Sequence, residues 1–308
     1  MHYILTLSPF RKLLLFIGLV FIFALITAMA GLLIGKVWLN VSLQTLSQMI
    51  ISPVTPEEIS FLRFYQFFSQ IGVFFLPVFA LVFFTSKNIS GYLSMNSRPG
   101  SVAIFITIIL VYSSLPFNGF LTSINENMQL PAAFAGIEQW MKDKETQANG
   151  LVEIILSTNS VNVLMINLVV VALMPALGEE LFFRGVLLKL FRQITHNIHW
   201  AVVISAFIFS FFHLQFYGFL PRFMMGLMLG YLFVITQNLW IPILFHFVNN
   251  ASSVILFYLH YNGYIQLSMD KFGTTQNMVY IIGSLLMIIW LMVMLYQRLG
   301  TDRIIKKI

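Results

Sequence analysis

The sequence contains no cysteine and very little charge. Without cysteine there is no disulfide, no iron–sulfur cluster and no thiol nucleophile. The strong metal ligands are then limited to histidines and carboxylates. Only 9% of the 308 residues are charged, against roughly a quarter in soluble domains. No stretch is polar enough to form a separate soluble domain, and no internal repeat is visible. What fills the chain is apolar: 59% of residues are hydrophobic, 32 are Phe, and the mean hydropathy is +0.88. The expectation is an all-α integral membrane protein whose first partner is the lipid bilayer. The net charge of +6 belongs to loops, so no nucleic-acid partner is expected.

A spanning helix needs about 20 mostly apolar residues. Eight segments qualify, near 13–35, 62–84, 101–121, 162–187, 200–217, 219–236, 240–260 and 277–297, predicting about eight transmembrane helices. Pro221, in "GFLPRF", separates the fifth from the sixth. The first follows Arg11 and Lys12 and carries "AMA" at 28–30, like a signal peptide. Its apolar run continues through "GLLIG", longer than a signal core, so it reads as a retained span. The chain divides into 1–160 (helices one to three and two outside loops), 161–262 (helices four to seven) and 263–308. The last part holds an outside loop, helix eight and a basic tail, and the three together form one membrane domain.

Loop charge sets orientation. One set of loops holds Arg11, Lys12, Lys87, Arg98, Lys189, Arg192, Arg298, Arg303, Lys306 and Lys307. The other holds Lys36, Lys142, Lys144, Arg222 and Lys271, with most of the acids: Glu57, Glu58, Glu126, Glu138, Asp143, Glu145, Glu153 and Asp270. The bias predicts a multi-pass cell-membrane protein with both termini cytoplasmic. Two outside loops, "LNVSLQTLSQMIISPVTPEEIS" and "FAGIEQWMKDKETQANG", read equally well as short surface helices or as polar loops.

Six ionisable groups fall at membrane depth: Arg63, Glu179, Glu180, Arg184, His213 and His246. Such groups are costly in hydrocarbon and point to function. Glu180 and Arg184 are four apart and share a helix face in the favourable order for an ion pair. Glu179 is turned about 100° away and has no such partner, which suits a general base. Pro175 and Gly178 weaken the helix just upstream. A buried ionic clamp between helices is the competing reading of all three charged residues. His213, in "FIFSFFHLQF", taken alone reads as a packed histidine bonded to a neighbouring carbonyl before it reads as a catalytic one. His246 and Asn250 share a face and offer two donors side by side, as an oxyanion requires; Asn249 points aside. Together these groups can hydrolyse an amide without a covalent intermediate. Glu180, His213 and His246 can instead hold one zinc ion, with Glu179 polarising its water. Side-chain chemistry alone leaves both open.

The motifs "EELFFR" at 179–184, "FSFFH" at 209–213 and "HFVNN" at 246–250 follow the pattern Glu-Glu-x-x-x-Arg, Phe-x-x-x-His, His-x-x-x-Asn. In these residues the sequence resembles the CAAX-protease and bacteriocin-processing (CPBP, or Abi) membrane peptidases. "RG" at 184–185, "GLMLG" at 226–230 and "LWIPILFH" at 239–246 are similar too. The resemblance spans roughly 170–255 and does not reach 1–150. It implies an intramembrane endopeptidase of the glutamate type. Glu179 and His213 would activate water, His246 and Asn250 would form the oxyanion hole, and Glu180 and Arg184 would support them. No cofactor is then required; zinc stays possible, because the family has also been viewed as metalloproteases. The implied substrate is a membrane-associated peptide or protein. A prenylated one is not expected, because composition and topology look bacterial.

Two other readings stand beside this one. A non-catalytic protein on the same scaffold would act in immunity or partner binding. A proton- or ion-coupled transporter would show paired half-helices or a repeat, and neither is visible. On the peptidase reading Glu179, His213, His246 and Asn250 converge in one water-accessible cavity. His246 is about 10 Å, and His213 about 20 Å, from the cytoplasmic ends of their helices at 1.5 Å per residue. Glu179 approaches the same end of its own, so the cavity is expected to open towards the cytoplasmic half.

Overall fold

The computed structural model describes residues 7–266 and 272–300. Asp270, Lys271, Arg303, Lys306 and Lys307, which enter the loop-charge count, lie outside the described residues. Among the described residues the chain is helical, without strands. Helix α1 (Pro9–Leu39) starts at Ser8, whose hydroxyl accepts from the Arg11 N–H, with Pro9 at the first helical position. Its 31 residues extend about 46 Å, more than the roughly 30 Å of a bilayer core. Phe21 and Leu25 point outwards with 72% and 65% of their surface free, which only lipid satisfies.

Helix α2 (Leu43–Ile51) leads to α3 (Pro56–Thr85), opened by a reciprocal cap between Thr55 and Glu58 and widened by a π turn at Ile71–Phe75. A short α4 (Ile89–Tyr92) precedes α5 (Ser101–Ser113) and α6 (Leu115–Glu126), which meet at a 40° bend beside Pro116. Helix α7 (Ala135–Leu156) is followed by α8 (Val161–Thr195), which carries π turns at Leu168–Leu173 and Leu181–Leu187. The remaining helices are α9 (Ile198–Phe211), α10 (Phe219–Thr236), α11 (Trp240–Tyr261) and α12 (Met278–Leu295).

All eight apolar segments are helical, but not all are spans. Among the described residues six helices are long and apolar enough to cross a membrane, or seven if the bent α5–α6 pair is one span. Helix α9 is the exception: its 14 residues reach only about 21 Å. It stops early because the chain turns through 212–215, with Leu214 in the left-handed region at φ 51°. The break therefore precedes Pro221, which sits in the first turn of α10, where a missing N–H costs nothing. Both outside segments left open above are helices. In α7, Glu138 accepts from Lys142 and from the Leu130 N–H, and these bonds hold its carboxyl below the usual carboxylate range.

Two apolar clusters close the bundle at the end that carries the basic loops. One joins Phe16, Val78, Leu81, Leu93, Phe183 and Leu239, drawn from α1, α3, α8 and two connections. The other joins α5, α10, α11 and α12 through Ile106, Leu110, Leu232, Phe245, Ile288 and Leu291. Helix α10 packs tightly on α9 because Gly226 has no side chain; a Cβ there would lie 3.0 Å from the Ala206 Cα. At the other end, Arg63 is buried and joins no ion pair among the described residues. Its Nε donates to Asn167 Oδ1 (2.9 Å) and its guanidinium to the Ile155 carbonyl (2.6 Å), tying α3, α7 and α8 together.

Candidate functional site

The site begins with a defect in α8. Pro175 has no N–H and follows the π turn at Leu168–Leu173, so the bonding of α8 is interrupted around the carbonyls of Val170 and Val171. In a bilayer such carbonyls need another partner. Gln70 Nε2 of α3 donates to Val170 O at 3.1 Å, and Asn250 Nδ2 of α11 reaches Val171 O at a long 3.5 Å. The proline and the π turn together draw the amides of two other helices to α8. Gly178 keeps the approach open, because a Cβ there would meet Phe74 and Phe75 of α3 at under 3.0 Å.

One turn further on, the two carboxylates separate. Glu180 is fully buried, and its Oε1 accepts from Arg184 Nη1 at 2.8 Å and from His246 Nδ1 at 3.0 Å. Arg184 also donates to the Gly226 carbonyl at 2.8 Å and lies 4.9 Å over the Phe209 ring. The pair read from spacing is therefore the start of a chain, Arg184–Glu180–His246, through α8 and α11. A carboxylate can only accept, so His246 carries a proton on Nδ1 and turns Nε2 outwards. Glu179 Oε2 lies 3.9 Å from that nitrogen, too far for a direct hydrogen bond, and has no other partner among the described residues.

His213 lies in the turn after α9, not within a helix, and its Nδ1 donates to the Phe209 carbonyl at 2.9 Å. The carbonyl bond read as the bland alternative is present; it also fixes the tautomer and leaves Nε2 free as an acceptor. Glu179, His213, His246 and Asn250 line one cavity of about 810 Å³, together with Asn249. Glu180 and Arg184 do not line it.

The cavity opens at the opposite end from the one expected. Its wall includes Leu62 to Phe74 of α3, Ala148 to Ile155 of α7, and Pro221 and Arg222 of α10. All of these belong to the ends away from the basic loops, while the basic end is sealed by the apolar clusters. The expectation failed because α8 runs on to Thr195, which places Glu179 near its middle, and because His213 emerges at the far end of the short α9.

Gln66, Gln70, Asn118 and Arg222 also line the cavity. Sequence reasoning weighed ionisable groups at membrane depth, so it passed over the amides and counted Arg222 as a loop charge. The signal was there in "FYQFFSQIGVFF", where Gln66 and Gln70 interrupt an apolar run four residues apart.

Of the three candidate zinc ligands, His213 and His246 line the cavity and Glu180 does not. Glu180 Oε1 is occupied by Arg184 and His246, and His246 Nδ1 faces Glu180. Among the described residues no three His, Cys, Asp or Glu side chains are grouped to hold a metal ion.

Compared with protein-family models, residues 161–252 match the type II CAAX prenyl endopeptidase family described as Rce1-like. That stretch runs from the start of α8 into α11 and contains all three motifs; it is under a third of the chain. Neither a curated protein nor a solved structure matches.

Proposed function

We propose, for a multi-pass membrane protein whose residues 161–252 carry an Rce1-like endopeptidase domain, that the chain is an intramembrane endopeptidase of the glutamate type. It sits in the cell membrane with both termini cytoplasmic. The observation that carries this reading is the joint presence of Glu179, His213, His246 and Asn250 on one cavity wall among apolar helices. Glu179 and the free Nε2 of His213 hold the attacking water. Glu179 takes its proton as the water oxygen bonds to the scissile carbonyl carbon. The oxyanion that forms is received by Asn250 Nδ2 and by Nε2–H of His246. Glu180 keeps a proton on the other ring nitrogen, so this donation requires the doubly protonated ring, and Arg184 offsets the charge of Glu180. Collapse breaks the carbon–nitrogen bond, and the proton passes from Glu179 to the leaving amine. One water is consumed, and an acid and an amine leave. No step is assigned to a metal.

Proton transfer by a positioned base contributes about 10²–10⁴-fold to a rate. The test is cleavage of a peptide library by purified protein in detergent, with and without chelator, beside the Glu179→Gln variant. Loss of cleavage by about that factor in the variant, and none with chelator, is expected. Full activity in Glu179→Gln would falsify the assignment.

A further inference from the structure

We propose that the Glu179 cavity is entered from the aqueous face opposite the basic loops, and that its occupant is a polypeptide segment outside the cytoplasm; the second half rests on the peptidase reading. The wall is the first observation. Going outwards from Glu179 it passes Gln70 and Gln66 and reaches Leu62 on α3, Ala148 on α7 and Arg222 on α10. Among the described residues none from 85–100, 188–197 or 237–239, the basic connections, contributes to it.

The mouth is polar in a way that hydrocarbon does not allow. Arg222 donates to the Gln215 carbonyl and to its Oε1, both at 2.8 Å. Gln215 Nε2 in turn donates to Asn149 Oδ1 of α7 at 3.0 Å. Helix α7 itself exposes Lys142, Asp143 and Lys144, so it lies in water. Loops on this side carry eight acids against five bases, and the opposite loops carry ten bases. The bias of Lys and Arg places those ten on the cytoplasmic side, and therefore the mouth on the other.

The inner wall indicates what binds. Gln66 Oε1, Gln70 Oε1 and Asn118 Oδ1 are buried acceptors without a partner among the described residues, and all three residues line the cavity. Unmet buried acceptors are costly and favour a ligand that brings donors. An isoprenoid or acyl chain has none. An extended peptide supplies an N–H at each residue, and seated along α3 it would carry a carbonyl down to Glu179.

The absence of cysteine makes the test direct. Single substitutions Ala148→Cys at the mouth, Ser69→Cys deeper in the wall and Lys87→Cys on a basic connection are made in the full chain. Intact cells are treated with a membrane-impermeant maleimide, and total thiol is measured after denaturation. Ala148→Cys and Ser69→Cys should label in intact cells, and Lys87→Cys only after permeabilisation. The reverse pattern, labelling of all three in intact cells, or labelling of Ala148→Cys without Ser69→Cys would overturn the proposal. In purified protein, Gln66→Leu should raise KM for a cleaved peptide about tenfold, the loss of one hydrogen bond of about 1.4 kcal/mol, with kcat kept; a fall in kcat alone removes Gln66 from the binding wall. Cleavage with labelling only after permeabilisation sinks this inference and spares the peptidase reading. Labelling from outside with no cleavage of any peptide sinks the peptidase reading and leaves the accessible face standing.

Discussion

At the scale of the residue, Glu179 and Glu180 are neighbours with opposite surroundings. Glu180 accepts two hydrogen bonds on Oε1 and is fully buried away from the cavity, whereas Glu179 lines the cavity, its Oε2 without a hydrogen bond among the described residues. The two glutamine substitutions should therefore fail differently. Glu180→Gln leaves Arg184 buried without its counter-charge, and breaking such a pair costs about 3–5 kcal/mol. Thermal unfolding in detergent should show that loss, with activity falling as a consequence. Glu179→Gln keeps the shape, so it should unfold within a degree or two of the parent and bind peptide without cutting it. If Glu179→Gln is the unstable variant, the assignment of roles is reversed.

At the scale of the element, the site depends on a helix that is deliberately incomplete. Pro175→Ala would return an N–H to α8 and compete with Gln70 and Asn250 for the carbonyls of Val170 and Val171. A proline in a helix interior costs about 3 kcal/mol, so this variant should be at least as stable as the parent. Its peptide cleavage should nevertheless drop by about tenfold or more, because removing an oxyanion donor costs about 10²–10³ and Asn250 would be displaced only in part. Unchanged kcat with raised stability would show that the gap in α8 has no role in the site. Gly226 tests the neighbouring contact. Gly226→Ala forces α10 off the Ala206 backbone and shifts the carbonyl that accepts from Arg184. Overpacking of this kind costs about 1–3 kcal/mol, measurable as a lower midpoint of thermal unfolding. Gly18→Ala, with open space around it, should leave the midpoint unmoved.

At the scale of the whole molecule, the family match and the cavity have different extents. The match begins at residue 161, yet α3 and α7 build much of the wall. Residues 157–308 expressed alone should insert in a membrane but show no cleavage, since Gln66, Gln70 and the Arg63 clamp are missing. Co-expression of 1–156 should restore cleavage at least in part, because the cut falls in the short polar connection between α7 and α8. Activity of the shorter piece alone, equal to the parent, would mean that the first helices are dispensable.

By itself the sequence determined the helical membrane character, the approximate place of the apolar segments and the Glu180–Arg184 pair. These rest on composition and on spacing within one helix, where residues four apart meet whatever the rest of the chain does. The polar interruptions Gln66 and Gln70 were equally legible and were passed over. Contacts between distant segments were not available to it. That Glu180 also holds His246, 66 positions away, follows only from the docking of α11 on α8. That α9 ends at Phe211, short of a full span, follows from the turn at Leu214. The direction of the cavity was decided by packing alone. Large apolar side chains from seven helices fill the basic end, while Pro175, Gly178 and the amides keep the other end open. Spacing along a single helix carries no information about which end its neighbours will close.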